Sequence, residues 1–393
     1  MTYPSYIDKI ICRLEQAGES AYIVGGSVRD MLLGIQPHDY DVTTSALPQK
    51  TAELFSDMHV IETGIKHGTV TVVFEGRPVE ITTFRIDGGS TDSRHPDSVS
   101  FTDRIEEDLS RRDFTVNAMA YNCKSGIVDP FGGREDLSAR RLRAVGDPAL
   151  RFSEDALRIM RLFRFSAQLG FDIHKTTLEG AISRAEGLGS IARERIGNEF
   201  VKLITSPAPQ RPLELMAEHG IFNHVLDGHI PAPRLISALD KCLGKDILCL
   251  AALLFDVDKE KASHILRELR CSGKQITGTL AIITGAKCTV SSPTDARRLI
   301  ANTGIYAPYA ARLSELLGIS PEGAELVTVR QQNTPCSLRD LKINGKDVAS
   351  LGARGKLIGE MLDRIMNQVI DNPDLNQRQI LLDIATKILN NEK

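Results

Sequence analysis

Apolar and polar residues recur along the chain in patterns that predict a mixed domain followed by helices. A helical spacing marks residues 5–18, where the apolar positions are Ile7, Ile10, Ile11 and Leu14. A short apolar run at 22–24 predicts a strand. Two alternating runs at 69–74 and 78–84 flank Glu75-Gly76-Arg77, so together they predict a β-hairpin.

The rest of the chain predicts helices with few interruptions. Residues 47–57 predict a short helix, and helical patterns run from about residue 152 to the C-terminal end. The stretch 86–100 is polar, contains glycine and lacks periodicity, which predicts either a functional loop or a loose insertion. The proline-rich segment 206–212 is the best candidate for a domain boundary. A chain of 393 residues is too long for one hydrophobic core.

Composition and charge narrow the class of protein. With 42% hydrophobic and 25% charged residues, the chain is typical of soluble globular proteins. The net charge is −3, so a nucleic-acid partner requires a local basic patch. The seven cysteines show no C-x-x-C spacing, which argues against a zinc site or a disulfide framework. Neither a leader nor an apolar stretch of about 18 residues is found, so we expect a cytoplasmic protein without a membrane partner. The oligomeric state stays unknown.

A glycine turn after the first strand is the first candidate for chemistry. Gly25-Gly26 breaks the strand, Ser27 is a plausible N-cap for a short helix, and Gly34 is its expected end. Backbone N–H groups at such a turn suit a phosphate, and Arg29 could add a charged donor fork. An ordinary turn is the simpler alternative.

Two carboxylates follow this turn. Asp39 and Asp41 would face one pocket if they lie on a strand, because side chains at i and i+2 point the same way. Hard oxygen ligands of this kind suit Mg²⁺ held together with substrate phosphates. Glu80 on the predicted hairpin could be a third carboxylate at the same place, or it could lie on a solvated face.

A second candidate centre lies at residues 152–165. We expect Ser153 to cap a largely buried helix on which Asp155 and Arg158 are one turn apart. Arg161 and Arg164 continue the row at the same interval. Buried arginines need anions or carboxylates as partners. The alternative explanation for this row of arginines is purely structural, namely salt bridges within the helix.

The residues at these two centres together resemble the class II tRNA nucleotidyltransferase/poly(A) polymerase family. The resemblance is carried by the segments 25–30 with 39–41, 111–119, 129–137 and 154–158. It implies an α+β protein whose polymerase-β-like nucleotidyltransferase head with a mixed sheet precedes an all-helical neck, body and tail. We place the head at 1–137, the neck at 138–205, the body at 206–290 and the tail, expected to bind tRNA, at 291–393.

The resemblance also assigns roles to residues. It implies that Arg112 grips the triphosphate, with Gly26 and Arg29 seating phosphates. Asp113 and Asn117 would address the ribose, beside a short apolar helix predicted after Arg112. Glu154, Asp155 and Arg158 would form the amino-acid template for the incoming base, within a nucleotide site that includes Arg161 and Arg164.

A physical reason supports that template. Cytosine and adenine both present an exocyclic amine donor beside a ring-nitrogen acceptor, whereas uracil and guanine present the reverse. An aspartate acceptor beside an arginine donor therefore accepts C and A, and the mismatched polar groups exclude U and G.

The implied activity is template-independent addition of C, C and A to the 3′ end of tRNA from CTP and ATP, with release of pyrophosphate. Asp39 and Asp41 would hold two Mg²⁺ ions, one activating the 3′-oxygen and one neutralising the triphosphate. Alternatives are an enzyme that adds only A, a poly(A) polymerase, or a catalytically silent tRNA-binding protein. The stretch 86–100 resembles a flexible loop of the family that CC-only enzymes alter or lose, so its presence argues against CC-only addition. Some members of the family carry a His-Asp phosphohydrolase domain in the C-terminal half. The comparable stretch of this chain, Leu253-Leu254-Phe255-Asp256, has no histidine before the aspartate, so we expect no such domain.

Overall fold

The structure is a computed structural model that describes residues 1–87, 99–242, 244–331 and 335–391. The chain divides into two compact units, Met1–Ile230 and Pro231–Lys393. The first unit contains a mixed seven-stranded sheet and helices, and the described part of the second is helical. This confirms the predicted α+β class. The finer division into head, neck, body and tail stays a prediction, and the proline-rich segment 206–212 lies within the first unit.

Among the residues that the structure describes, the strands lie within the first 173 positions. They are β1 (Ala21–Val24), β2 (Asp41–Thr44), β3 (His59–Ile61), β4 (Thr69–Phe74), β5 (Arg77–Thr83), β6 (Arg85–Asp87), β7 (Val99–Phe101), β8 (Ala120–Asn122), β9 (Gly126–Val128), β10 (Arg141–Leu142) and β11 (Asp172–Ile173). The main sheet has the order β3-β4-β5-β2-β1-β8-β9, in which β2 and β5 are the parallel neighbours. β6 pairs with β7, and β10 with β11, in two separate ribbons.

The predicted hairpin is confirmed as β4 and β5. Its turn residues Glu75 and Gly76 have φ values of 50° and 79°. Two successive positive φ values match the right-handed twist of the flanking strands, which is why glycine is favoured there. Val70 and Val72 of β4 are fully buried, and Ile81 of β5 is 1% exposed, so alternate positions of the hairpin face the core.

The first unit has eleven α-helices within its described residues. They are α1 (Ser5–Gln16), α2 (Gly26–Leu32), α3 (Pro48–Leu54), α4 (Ile105–Ser110), α5 (Gly133–Ser138), α6 (Pro148–Glu154), α7 (Leu157–Leu169), α8 (Lys175–Ser183), α9 (Arg193–Ile204), α10 (Gln210–Glu218) and α11 (Phe222–Val225). All four apolar positions predicted for α1 are buried. α4 packs against the central strands through a cluster that includes Val24, Phe84, Ile105, Leu109 and Ala120.

The predicted apolar helix after Arg112 is wrong. Residues Thr115–Asn117 form a single 3₁₀ turn, and the chain then enters β8. β8 pairs with β1 at Val24↔Ala120, inside the sheet. A buried strand carries an apolar run without helical periodicity, and a run this short does not distinguish the two elements.

The second unit has ten α-helices among its described residues. They are α12 (Pro233–Ser237), α13 (Asp246–Leu253), α14 (Lys259–Glu268), α15 (Gly273–Ala286), α16 (Pro293–Thr303), α17 (Ala307–Leu316), α18 (Gly323–Gln331), α19 (Gly345–Ser350), α20 (Lys356–Asp371) and α21 (Arg378–Asn391). α20 shows a helical period of buried residues at Met361, Ile365 and Val369. Across the described ranges, every helix is too short or too polar to span a bilayer.

Candidate active site

The turn between β1 and α2 has room for a guanidinium group because it contains glycine. Gly25 has a φ of 75°, and its N–H donates to the Met119 carbonyl at 3.1 Å. A Cβ atom on Gly25 would lie 2.9 Å from Nη1 of Arg112. At Gly26 the nearest atom to such a Cβ would be Arg29 Nη2 at 3.5 Å, an ordinary contact. The requirement for glycine therefore falls on Gly25.

Ser27 does not cap α2, and that prediction is wrong. The helix begins at Gly26 with Gly25 as its N-cap, so Ser27 already lies in the first turn. Its buried hydroxyl donates to the Asp39 carbonyl at 2.9 Å and accepts from the Asp41 N–H at 3.4 Å. Ser27 therefore ties the segment carrying the two aspartates to the glycine turn. The predicted end at Gly34 is confirmed, with a φ of 73°.

Asp41 lies directly beside the turn. It is the first residue of β2 and pairs with Val24, the residue before Gly25. Asp39 lies outside the strand, in a bend, and its side chain is 87% exposed with Oδ1 3.1 Å from His38 Nδ1. Strand alternation therefore cannot orient both carboxylates as predicted, and the Ser27 hydroxyl supplies the connection between their backbones instead.

Glu80 occupies the position beside Asp41 on the neighbouring parallel strand. Val42 pairs with Ile81, so Asp41 and Glu80 each immediately precede a paired residue and lie on the same side of the sheet. Both are accessible to solvent. Although part of the Asp41 side chain is accessible, the surrounding protein partly desolvates the carboxyl and so raises its pKa. The charges of Glu80 and Asp39 raise the pKa further, and Arg112 opposes them.

This excess of negative charge is what a divalent cation would neutralise. Across the described parts of the chain, no three histidine, cysteine, aspartate or glutamate side chains converge closely enough to hold a metal ion by themselves. Mg²⁺ does not require such a cage, since it is usually bound through one or two carboxylates together with substrate phosphates. Asp39 and Asp41 fit that donor set, with Glu80 as the adjacent carboxylate.

Arg112 has an unsatisfied donor at the turn. Asp108 of α4 is fully buried and accepts from Arg111 at 2.8 Å and from Arg112 Nη2 at 3.3 Å. Burial raises the pKa of Asp108, but the charges of both arginines outweigh it and the net shift is downward. The Nε of Arg112 is buried without an acceptor among the described residues. A buried unpaired N–H is costly, so it favours an incoming anion.

Four other predicted residues form one buried network. Arg29 donates to Asn117 Oδ1 at 2.7 Å and to Asp30 Oδ1 at 2.8 Å. Asn117 donates to Asp113 Oδ1 at 3.2 Å, and Asp113 Oδ2 accepts from Arg161 Nη2 at 2.6 Å. The Arg29 side chain is only 6% exposed and is held within this network, and its predicted contact with phosphate stays a prediction. The predicted ribose contacts of Asp113 and Asn117 stay predictions.

An aromatic ring supports this network. The guanidinium carbons of Arg29, Arg161 and Arg164 lie 5.4, 5.2 and 3.9 Å from the ring centroid of Phe165. Cations above and beside a ring face are stabilised by its negative quadrupole, which helps three like charges to share one region. Arg164 also pairs with Glu199, and burial lowers its pKa.

The second predicted centre is a junction between two helices rather than one helix. Asp155 has an extended backbone (φ −148°, ψ 102°) and separates α6 from α7. Ser153 lies near the end of α6, so the prediction that it caps the helix is wrong. Asp155 Oδ1 instead accepts from the Leu157 N–H at 3.0 Å. Its Oδ2 lies 3.4 Å from Arg195 Nη2, a contact that we did not predict.

Arg158 is held on several sides. Its Nη1 donates to Glu154 Oε2 at 2.6 Å and to the Arg151 carbonyl at 3.0 Å, and its Nη2 donates to the Arg111 carbonyl at 2.9 Å. Glu154 also accepts from Arg151 at 2.7 Å. In this geometry Glu154 orients arginines, and its predicted contact with the nucleotide stays a prediction.

The row of arginines on α7 is therefore not a set of salt bridges within one helix. Arg158 pairs with Glu154 across the junction, Arg161 pairs with Asp113, and Arg164 pairs with Glu199 on α9. The last two pairs connect α7 to segments 48 and 35 residues away in sequence. The row therefore connects α7 to the segment around Asp113 and to α9.

Comparison with known proteins extends this picture over the chain. Residues 21–143 match the family model of the poly A polymerase head domain. Residues 170–233 match a model described as an RNA and SrmB-binding site of polymerase A, and residues 243–385 match tRNA nucleotidyltransferase domain 2.

Individual relatives match nearly the full chain. The CCA-adding enzyme of Ligilactobacillus salivarius is 35% identical over 388 residues, 97% of this chain and 95% of that protein. That of Leuconostoc mesenteroides is 35% identical over 393 residues, 98% of this chain and 96% of its own. The crystal structure of the Bacillus stearothermophilus CCA-adding enzyme in complex with CTP superposes with a TM-score of 0.83 at 32% identity, covering 100% of this chain and 99% of that one. Because agreement at this level extends through both units, the protein belongs to the family of CCA-adding enzymes.

Proposed function

We propose that the protein adds C, C and A to the 3′ end of tRNA, using CTP and ATP as substrates. The observation that carries the proposal is the adjacent placement of Asp41 and Glu80, each one residue before the paired residues of β2 and β5, beside a glycine turn where Arg112 has an unsatisfied Nε. In the reaction the tRNA 3′-oxygen attacks the α-phosphorus, the bond to the β-phosphate breaks, pyrophosphate leaves and the hydroxyl proton is lost.

The chain's own residues provide phosphate binding. Arg112 presents a buried donor and a positive charge at the turn, and Gly25 leaves the space that its guanidinium occupies. A guanidinium fork is well suited to a phosphate because its planar N–H groups match the oxygens. Asp108 restrains Arg112 by accepting from its Nη2 at 3.3 Å.

Mg²⁺ is the expected cofactor, and two ions would be held by Asp39 and Asp41. When bound, the two ions would neutralise charge on the triphosphate and activate the 3′-hydroxyl of the tRNA. The carboxylates fit this role because they are accessible and because a cation would relieve the partial desolvation and the charges of Glu80 and Asp39 that raise the pKa of Asp41. Ser27 keeps the segment from Asp39 to Asp41 against the turn.

Base selection is assigned to the α6–α7 junction. Asp155 offers an acceptor for the exocyclic amine shared by C and A, and Arg158 offers a donor for the ring nitrogen. Both side chains are already restrained, Asp155 by Leu157 and Arg195, Arg158 by Glu154 and the Arg111 carbonyl. A preorganised pair discriminates well, because the wrong base leaves polar groups unpaired.

A sibling activity is the nearest alternative. Addition of A alone, or of many A residues, would use the same phosphate site and metal carboxylates. The loop expected to distinguish CC-only enzymes falls mostly at 88–98, outside the described residues.

The decisive experiment supplies purified protein with tRNA transcripts ending before the CCA, after C, and after CC. Each transcript is incubated with each α-labelled triphosphate in the presence of Mg²⁺, and the products are resolved at single-nucleotide length. We expect two C additions, one A addition and then arrest. Growth of an A tail, addition of A to the CC transcript without any addition of C to the two shorter transcripts, or no incorporation would each contradict the proposal.

A further inference from the structure

Two arginines from the α6–α7 segment donate to the end of α4, immediately before Arg112. Arg151 Nη2 donates to the Ser110 carbonyl at 2.7 Å, and Arg158 Nη2 donates to the Arg111 carbonyl at 2.9 Å. The last carbonyls of a helix have no partner within it, and positive charge is stabilising there. The two guanidinium groups thus cap the helix that leads into Arg112.

Arg151 is well buried and its three nitrogens point in different directions. Its side chain is 12% exposed, Nη1 donates to Glu154 Oε2 at 2.7 Å, and Nε donates to the Val145 carbonyl at 3.2 Å. The Val145 N–H in turn donates to the Asp113 carbonyl at 3.2 Å. Arg151 therefore holds the segment containing Arg112 directly at Ser110 and through Val145 at Asp113.

Glu154 completes the connection to the base site. The same oxygen, Oε2, accepts from Arg151 at 2.7 Å and from Arg158 at 2.6 Å. The Arg151 carbonyl also accepts from Arg158 Nη1 at 3.0 Å. The orientation of Arg158 therefore depends on the place of Arg151, both through the shared carboxylate and through the backbone.

We propose that Arg151 is a positioning residue that sets the distance between the phosphate-binding Arg112 and the base-reading Arg158. This inference rests on the proposed function, because it assigns Arg151 to the same nucleotide site. Arg151 contacts neither base nor phosphate in this scheme. It acts through the Ser110 carbonyl on one side and through Glu154 on the other, so its loss should loosen both contacts of one nucleotide together.

The test compares Arg151→Met, which keeps the apolar stem, with Arg151→Lys, which keeps the charge but loses the planar fork. Arg211→Met is the matched control, since Arg211 pairs with Glu214 three residues on and with Glu218, away from these contacts. For each protein, kcat and KM are measured with CTP, ATP, UTP and GTP, and the melting temperature is recorded.

We expect Arg151→Met to raise KM for CTP and ATP and to lower the preference for C and A over U and G by about tenfold. Arg151→Lys should be intermediate, and Arg211→Met should match wild type. Unchanged nucleotide preference with losses that follow the melting temperature would overturn the inference. If Arg151→Met does not fold, the preference of Arg151→Lys for C and A over U and G tests the inference instead. A wild-type protein without preference for C and A would instead contradict the proposed function itself.

Discussion

Nη2 of Arg161 lies 2.6 Å from Oδ2 of Asp113, although the two residues are 48 positions apart. Arg161 belongs to α7, and Asp113 belongs to the motif that contains Arg112 and Asn117. Asp113 is only 7% exposed, and it also accepts from the Phe114 N–H and from Asn117. The pair therefore joins α7 to the segment that contains Arg112 and Asn117, and both oxygens of the Asp113 carboxylate are engaged.

Breaking this pair should destabilise the fold in a manner that depends on pH. Burial raises the pKa of Asp113, but Arg161 and the hydrogen bonds outweigh it, so the net shift is downward. The stability from this carboxylate is thus present above the unfolded pKa of about 4 and is lost as the pH falls through the lower folded value. Arg161→Met leaves the charge buried without its cation.

We expect Arg161→Met to cost on the order of 2–3 kcal/mol at neutral pH, below the range for a fully buried pair, since Arg161 is 34% exposed. The difference in melting temperature from wild type should narrow as the pH is lowered from 7 towards 4, because protonation relieves the unpaired Asp113 in the variant. Asp113→Asn with Arg161→Met should recover part of the loss. A difference that stays constant over this range would contradict the assignment.

Adding one methyl group at the glycine turn should impair nucleotide binding. Gly25→Ala places a Cβ 2.9 Å from Arg112 Nη1 at a φ of 75°. Gly34→Ala is the matched control, since its φ is 73° and nothing lies within 4 Å of the added Cβ. Both variants should lose about 1–2 kcal/mol of stability from backbone strain.

Only Gly25→Ala should raise KM for CTP and ATP, because only there must the guanidinium move. Steady-state kinetics beside thermal melts separate the two effects. Equal kinetic losses in both variants would show that strain, rather than the position of Arg112, is responsible.

Removal of the Asp41 carboxylate should abolish transfer and leave the fold intact. We expect Asp41→Ala to retain less than about a hundredth of the wild-type kcat, a loss of about 3 kcal/mol or more in transition-state stabilisation. Asp57→Ala is a suitable control, because Asp57 is also an accessible carboxylate but pairs with Arg13 at 2.7 Å. Nucleotide incorporation measures the loss of transfer, and circular dichroism checks that the fold is intact. Substantial activity in Asp41→Ala would place the metal carboxylates elsewhere.

Asp155 should determine which bases are accepted. Asp155→Ala removes the acceptor for the exocyclic amine and also frees Arg195, so kcat/KM for CTP and ATP should fall steeply while relative use of UTP and GTP rises. Ser153→Ala, which changes an exposed hydroxyl bonded to the Leu150 carbonyl, should leave the ratios unchanged. A common loss with all four triphosphates that follows thermal stability would mean that Asp155 acts only as a helix-capping residue.

Several features could be predicted from the sequence because they depend on neighbours along the chain. The turn at Glu75 and Gly76, the end of α2 at Gly34 and the buried stripe of α1 all arise within a few residues. The type of each candidate residue was also informative, since closely spaced aspartates and arginines carry their chemistry wherever the chain places them. The short local errors, at Ser27 and Ser153, occurred where a tertiary hydrogen bond or a helix junction overrode a capping preference.

Tertiary structure alone decided which of these groups meet. Glu80 comes to Asp41 only because β2 and β5 are parallel neighbours, and no local pattern specifies that register. Arg29 reaches Asn117 across 88 residues and so becomes part of a buried network that no local pattern predicts. Arg151 gave no signal for this role in the sequence, because its acceptors at Ser110, 41 positions away, and at Val145 are backbone carbonyls, and a carbonyl is present at every residue.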